Sequence, residues 1–504
     1  MVATESFTRD EAEDRPRRQA FVITTESVFL TFFVCGLAWV PFWLGSNRLI
    51  AWGINAVVFA GLAALLELSL LLRGKAHAVA IRRIGLSAVL FALVIIWILV
   101  QNATWTPAGW HHPIWQLASD ALGRPVAGRI SVDPDLTALA LLRLLTAAST
   151  FWLALQLCRD ATRARLLIWS VVGIGAFYAA VGIFAVGFMP NGRLFAELTP
   201  LKFVTSTFVN QNHYVTFAGI GLIAAVAGVL RLYRRELRQG GWLWRLQIAA
   251  LIRTTGSKAV LPLGFAAVIL VGVLLTGSRG GIIATALGIF VLFTLNVRRA
   301  GSSRRGEVLL LLSAAVLVVT AFIGFSDVFV GRIKAQGFYD EGRSWVPLLT
   351  IRSILNAPLL GYGYGTFSAI FPMFRDDSIS VWGFWDKAHN TYLEIFQGLG
   401  LLFGAMLIAC VAILVWRCLK GTRMRQRDVT IPAIAASVSF LIGAHALVDF
   451  SLQIQAVTLT YMAVLGAGVA QSFDSSPTAM GDVSVGTSTR AAAGWRVPNN
   501  ERRI

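Results

Sequence analysis

The chain of 504 residues has few charged side chains, which make up 14% of it, whereas an average soluble domain has about 25%. A sequence that is 56% hydrophobic, with a mean hydropathy of +0.68, cannot cover a water-soluble surface. The shortage of charge therefore excludes a soluble enzyme, a disordered protein and a coiled coil. Repeated apolar runs of about 20 residues predict an all-α polytopic membrane protein instead.

Cysteine is also scarce. The chain has only Cys35, Cys158, Cys410 and Cys418. Each lies inside an apolar run or at its basic end, and none has the C-x-x-C spacing of a metal site or a redox pair. The adjacent His111 and His112 would chelate an ion poorly on a helix, and no HExxH-type motif accompanies them. We therefore expect no disulfide, no metal and no cofactor.

The apolar runs define the predicted organisation of the chain. The twelve predicted spans are 23–44, 49–72, 84–101, 136–158, 164–188, 214–230, 259–275, 281–297, 307–325, 391–416, 429–447 and 452–471. We expect a cytoplasmic tail at 1–22, a membrane domain at 23–471 and a disordered tail at 472–504, because the last segment is rich in small and polar residues.

The formal net charge is +18, and the basic residues gather in alternate gaps between the apolar runs. Because Lys and Arg are enriched in cytoplasmic loops, this alternation places both termini in the cytoplasm and every second loop outside. It also accounts for the positive charge without nucleic acid, for which the sequence has no binding motif. The outward gap at 326–390 is long and rich in aromatic residues, so we expect short helices there rather than disorder.

Arg279 lies in the segment TGSRGG between two apolar runs, on the side predicted to face outward. The neighbouring glycines let backbone N–H groups approach a ligand, and the following helix N-terminus favours an anion. The planar guanidinium also suits a phosphate. Arg279 is therefore a candidate anion clamp, with snorkelling to lipid headgroups as the alternative.

His389 lies in DKAHNTY, where the long outer loop returns to the membrane. An imidazole with an ordinary pKa of about 6.5 is a suitable proton acceptor at neutral pH, so His389 is a candidate base for a sugar hydroxyl. A hydrogen-bonded structural histidine is the alternative. His445 and Asp449 are four residues apart, which predicts that they share one helix face and form a structural hydrogen-bonded pair.

Other polar and aromatic residues of the outer gaps could contact a substrate. Arg343 is a second candidate anion ligand, with a salt bridge to a neighbouring carboxylate as the alternative. Asn210 and Asn212 offer amide groups for sugar hydroxyls, or else cap a helix. The segment GYGYG lacks the strand, helix and lysine of a phosphate loop, so we interpret it as a turn whose Tyr362 and Tyr364 are available for stacking.

Several stretches between residues 201 and 420 carry a family pattern. They read TFVNQNHYVTFAGI, TGSRGGIIATALGIFVLF, R-SW, N-APLLGYGYGTFSAIFP and AHNTYLEIFQGLGLLFG in chain order. Together, and with twelve spans around them, they resemble the O-antigen ligase and O-antigen polymerase superfamily.

The resemblance implies a metal-independent, inverting glycosyltransferase with a GT-C-like fold in the bacterial inner membrane. Its donor would be a glycan on undecaprenyl diphosphate at the periplasmic face. Its acceptor would be a lipid A–core sugar for a ligase or another glycan for a polymerase. In the family a histidine near the end of the large periplasmic loop is the base and two arginines engage the diphosphate. These roles fall on His389, Arg279 and Arg343, with Asn390 and Tyr392 beside the histidine as substrate contacts.

Two other functions remain open at this point. A transporter of glycan or of a small anion would concentrate polar residues at the middle of the bilayer. The few charges near or inside the spans are instead scattered at Glu26, Glu67 and Arg143, and the candidate site lies at the outer rim. A non-catalytic component of a polysaccharide assembly complex is the third reading.

Overall fold

The structure, a computed structural model, describes most of the chain. The described residues are 24–189, 191–195, 203–239, 255–297, 341–379, 384–424 and 428–473. Within these ranges the regular secondary structure is helical, and no β-strand occurs. The predicted all-α polytopic class is therefore confirmed. The predicted tail at 1–22 lies outside the described residues, as does the predicted tail at 472–504 apart from Ser472 and Phe473.

The described part contains fourteen α-helices. The first seven are α1 (Thr25–Trp39), α2 (Leu49–Leu72), α3 (Gly85–Gln101), α4 (Ile114–Leu122), α5 (Pro134–Leu157), α6 (Ala161–Phe188) and α7 (Gln211–Gln239). The second seven are α8 (Val260–Leu274), α9 (Arg279–Val297), α10 (Glu341–Asn356), α11 (Phe367–Ile370), α12 (Thr391–Met424), α13 (Thr430–His445) and α14 (Gln455–Ala470).

Polar residues at the ends of the apolar runs fix where the helices begin. The Asp133 carboxylate accepts hydrogen bonds from the first backbone N–H groups of α5, and Pro134 occupies the first helical position. Asp160 caps α6 in the same way, and Thr24 caps α1. These caps satisfy donors that have no partner inside the helix.

Eleven of the twelve predicted spans coincide with described helices. Seven described helical segments are long and apolar enough to cross a membrane, and the shorter apolar helices are α1, α8, α13 and α14. The predicted span at 307–325 lies outside the described residues, so the count of twelve stays a prediction. The expected helices of the long outer loop are present in its described part, as α10 and α11.

The helix α14 lies at the centre of the bundle, and fourteen of its sixteen residues are buried. It packs directly on α5: a Cβ atom at Gly466 would lie 2.5 Å from the carbonyl oxygen of Phe151. Small residues allow membrane helices to approach this closely. Close packing matters because lipid provides no hydrophobic driving force for helices to associate. The close packing fixes the connection that precedes α14, which carries part of the candidate site.

The loops separate into two groups at opposite ends of the bundle. At one end, the backbone N–H of Thr391 donates to Ala446, that of Val204 to Leu275 and that of Ala456 to Gly45. At the other end, the Gln471 amide donates to the carbonyl of Cys158 at 2.6 Å. The first group contains the gaps predicted to face outward, and we call it the site end.

Candidate functional site

His389 occupies the turn that leads into α12 at the site end. Its backbone has a φ of 54°, in the left-handed region that non-glycine residues seldom adopt. The following residues hold this turn: the Asn390 amide donates to the carbonyl of Leu447 at 2.9 Å, and the Thr391 N–H donates to Ala446 at 2.9 Å. The turn is thus fastened to the connection between α13 and α14.

Two aromatic rings pack against the imidazole of His389. The Phe450 ring lies between two imidazoles, with centroid distances of 5.1 Å to His389 and 4.7 Å to His213. The Trp385 ring approaches His389 from the loop side, at 6.0 Å. Ring packing therefore fixes the plane of the candidate base.

Asn212, in the first turn of α7, links three parts of the site end. Its amide group donates to the Asp449 carboxylate at 2.9 Å, and its amide oxygen accepts from the Ser278 hydroxyl at 2.7 Å. Its own backbone N–H is capped by the side chain of Asn210 at 2.9 Å. The capping alternative for Asn210 is therefore observed, and Asn212 joins α7, the turn before α9 and the α13–α14 connection.

Asp449 is a buried carboxylate, only 1% exposed. The Ser451 hydroxyl donates to it at 2.5 Å, and the His213 ring lies 3.8 Å away. Burial alone would raise the pKa of this carboxyl, but the nearby histidines and the hydrogen bonds outweigh it and hold the pKa below its ordinary value. Asp449 is thus a buried carboxylate whose polar partners come from several elements of the site end.

His445 connects this centre to the start of α9. The Thr216 hydroxyl donates to the carbonyl of Asn212 at 2.8 Å, so it accepts at 2.6 Å from Nδ1–H of His445. This assigns the hydrogen to Nδ1 and leaves Nε2 as an acceptor. Nε2 faces α9, because a Cβ atom at Gly280 would lie 3.5 Å from it.

Arg279 is the first residue of α9 and is half-buried. It follows Gly277, whose φ of 60° makes the turn into the helix. The next residue, Gly280, packs against Val448 and His445. Arg279 therefore begins a helix whose next residue contacts Val448 of the α13–α14 connection, and His389 contacts Phe450 of the same connection.

Two ionisable side chains reach a cavity behind the His389 turn. The cavity has a volume of about 530 Å³ and is lined mainly by apolar residues of α5, α12, α13 and α14. Arg143 and Glu394 line it together with Gln453. The Arg143 guanidinium donates to the carbonyl of Gln453 and lies over the Trp52 ring at 4.4 Å.

The remaining predicted site residues fall into two environments. Tyr392 follows His389 by three residues and lines the cavity, and its hydroxyl donates to the carbonyl of Gly443 at 3.0 Å. Tyr364 is half-buried and lines the cavity. Tyr362 is 2% exposed and donates to the carbonyl of Ser353, so its ring packs inside the loop. Arg343 lies in α10, and its side chain is outside the described part of the structure.

Sequence reasoning did not single out Glu394 or Ser278. Glu394 had a usable signal, because it is a carboxylate inside the predicted span 391–416, and ionisable residues within membrane helices are commonly functional. Ser278 had none, since its role depends on a partner 66 residues away. Among the described residues, no three His, Cys, Asp or Glu side chains form a group that could hold a metal ion.

Comparison with known proteins adds a family to this geometry. Residues 264–409 match the family model described as O-antigen ligase. No curated protein matches the chain. The matched segment begins in α8 and ends in α12, so it includes both Arg279 and His389. The match confirms the predicted resemblance: residues 264–409 of this multi-pass membrane protein are similar to the O-antigen ligase domain.

Proposed function

We propose that the protein transfers a glycan from undecaprenyl diphosphate to a sugar hydroxyl at the periplasmic face of the bacterial inner membrane. The reaction is inverting, and it relies on side chains rather than on a metal ion. The acceptor is a lipid A–core sugar for ligase activity or another lipid-linked glycan for polymerase activity. Both termini would then lie in the cytoplasm.

The shared position of Arg279 and His389 carries this proposal. Gly280, the residue after Arg279, packs against Val448, and His389 packs against Phe450. Both contacts fall on the same short connection, Ala446–Phe450, at the site end. An arginine and a histidine on elements that contact one segment would provide an anion ligand and a proton acceptor for a single substrate. The match to an O-antigen ligase family model over both residues supports the same chemistry.

In the proposed reaction, an acceptor hydroxyl oxygen attacks the anomeric carbon of the donor sugar. The bond from that carbon to the phosphate oxygen breaks, and undecaprenyl diphosphate leaves with the electron pair. His389 takes the hydroxyl proton. Arg279 and Arg343 balance the charge that grows on the leaving phosphate, with the N-terminus of α9 adding a favourable partial charge.

Some of the proposed residues would contact the sugar directly, and others position the site. Trp385, whose ring packs against His389, forms the sugar-binding wall together with Tyr392 three residues later, and Asn390 sets the position of the turn. Asn210 and Asn212 shape the site through their cap and their bridge. We do not include Tyr362 among the sugar contacts, because its ring is buried.

Transfer by purified protein in lipid vesicles tests the proposal. We expect His389→Ala and Arg279→Ala each to lower the transfer rate by about 100-fold or more, since each removes a group that acts in the transition state. The matched controls are His77→Ala and Arg165→Ala, which are remote from the site end and should transfer at the parental rate. A His389→Ala variant with the parental rate would refute the assignment of the base.

The acceptor class is decided by glycan profiling after deletion of the gene. Loss of a ligase would leave free lipid-linked polymer beside bare core. Loss of a polymerase would leave single repeat units.

A further inference from the structure

We propose that Glu394 is a positioning residue that holds the His389 turn in its left-handed conformation. This inference rests on the proposed role of His389 as the base. Glu394 acts through the backbone, because one of its carboxylate oxygens accepts from the Ala388 N–H at 2.8 Å. The bond reaches back over six residues and ends immediately before His389.

The His389 turn needs outside support. A φ of 54° at a residue with a side chain costs about 1 kcal/mol or more relative to ordinary helical backbone. Such conformations persist only where neighbouring contacts hold them. On the later side of His389, the Asn390 amide is bonded to Leu447. On the earlier side, the bond from Ala388 to Glu394 supplies the corresponding hold.

Glu394 is not needed to cap α12. The Asn390 side chain already accepts from the Leu393 N–H at 3.1 Å, which is the normal cap of a helix that begins at Thr391. A capping-box glutamate would stand at position 393 and bond to the N–H of residue 390. Glu394 stands one residue later and reaches two residues further back, so its bond serves the turn rather than the helix end.

A carboxylate at this position is costly, which argues that it has a functional role. Glu394 lies in a membrane-spanning helix and lines a largely apolar cavity. Arg143, from the span α5, lines the same cavity and is anchored to the carbonyl of Gln453 and the ring of Trp52. Charges within membrane helices are rare unless they face each other inside the bundle and have a role. Here the role is to hold the backbone beside the base.

Two neutral variants of nearly the same size separate this role from a general effect of charge. Glu394→Gln keeps an oxygen that can accept from the Ala388 N–H, whereas Glu394→Met does not. Both remove the carboxylate facing Arg143. We expect the Gln variant to retain kcat within about fivefold of the parent, because a neutral acceptor forms a weaker bond than a charged one.

The Met variant should lose about 100-fold in kcat with an unchanged KM for the lipid-linked donor, because a displaced base slows the reaction without weakening binding. Glu67→Met is the matched control. It removes another intramembrane carboxylate, one that bonds to Trp152 and His77 away from the site, and should leave kcat unchanged.

The result overturns the inference if the Met and Gln variants have the same kcat, or if the Met variant loses only donor affinity. A Met variant that does not fold leaves the Gln variant as the test: a stable Gln protein with a 100-fold lower kcat would also refute it. His389→Ala is run in the same assay. If it transfers at the parental rate, the proposed function fails; if it is inactive while Glu394→Met is fully active, only this inference fails.

Discussion

Asp449 organises the site end through contacts with several separate elements. Its carboxylate accepts hydrogen bonds from Asn212 of α7 and from Ser451 before α14. The ring of His213 of α7 lies 3.8 Å from it, and His445 of α13 lies nearby. A buried carboxylate with this many partners stabilises one arrangement of the helices, because every alternative leaves a charge without them.

Replacing Asp449 by Asn tests this role. The change turns one accepting oxygen into a donor that faces other donors, and it removes the charge. We expect the free energy of unfolding to fall by about 3 kcal/mol at pH 7, measured by chemical denaturation in detergent. Asp376→Asn is the control, since Asp376 is an exposed residue that pairs with Arg352 on the surface and should leave stability unchanged.

The difference in the free energy of unfolding between the parent and Asp449→Asn should depend on pH, because the pKa of Asp449 is lowered in the folded protein. A carboxyl whose folded pKa lies below its unfolded value of about 3.9 contributes stability that is present above this value. The contribution is lost as the pH falls through the folded pKa. The gap between the parent and Asp449→Asn should therefore be complete at pH 7 and shrink below about pH 4; a constant gap would contradict the account.

The sequence predicted some site residues and missed others for a physical reason. Arg279 and His389 stood out because a cation and an imidazole at the ends of apolar runs are uncommon. The partners of Asn212 could not be predicted, since they lie 66 and 237 residues away along the chain. The local sequence shows which chemical groups a segment carries. The residues that those groups contact depend on how the helices pack, which the local sequence does not show.

At the scale of elements, the break inside α12 shapes the loop that precedes it. Gly400 has a φ of 75° and a ψ of 168°, which interrupts an otherwise continuous helix. Just before the break, the carbonyls of Gln397 and Gly398 accept from Tyr362 and Gly363. The outer loop is thereby bonded to the backbone of α12.

Gly400→Ala should destabilise the protein. A Cβ atom there would lie 2.3 Å from the carbonyl oxygen of Leu359, and the positive φ disfavours any side chain. We expect the free energy of unfolding to fall by about 3 kcal/mol. Gly61→Ala in α2 is the matched control, since its Cβ would meet nothing within 4 Å; it should be neutral or slightly stabilising. Equal stability of both variants would exclude a strained break.

The sequence predicted a plain span at 391–416 and did not predict the break. Leucine and phenylalanine continue on both sides of Gly400, so hydropathy does not change there. Glycines are also frequent in membrane helices, so a glycine in an apolar run does not by itself predict a break. The break follows from the carbonyl of Pro358, which accepts from the Leu401 N–H at 2.7 Å. That contact is tertiary and leaves no local signal.

At the scale of the whole molecule, hydropathy and charge predicted the architecture well. Eleven predicted spans coincide with described helices. A segment that crosses lipid must be a long apolar helix, and a long apolar run is visible in the local sequence. The alternation of basic gaps also sorted the loops into the two ends that the structure shows. Which end faces the periplasm remains a proposal.

Cysteine labelling checks that orientation. Cys35 is the exposed native cysteine among the four, so the background carries Cys35→Ser. We expect Leu117→Cys, at an exposed position of α4 at the site end, to react with an impermeant maleimide added to spheroplasts. Ala76→Cys, in an exposed turn at the opposite end, should react only after permeabilisation. The reverse pattern would place the candidate site in the cytoplasm.

The most direct test of the central claim separates binding of the lipid diphosphate from turnover. Binding of undecaprenyl diphosphate and single-turnover transfer are measured on the parent, His389→Ala and Arg279→Ala. The account predicts that His389→Ala binds the lipid as the parent does but does not transfer, whereas Arg279→Ala loses affinity for it. Parental transfer by His389→Ala, or parental lipid affinity in Arg279→Ala, would contradict it.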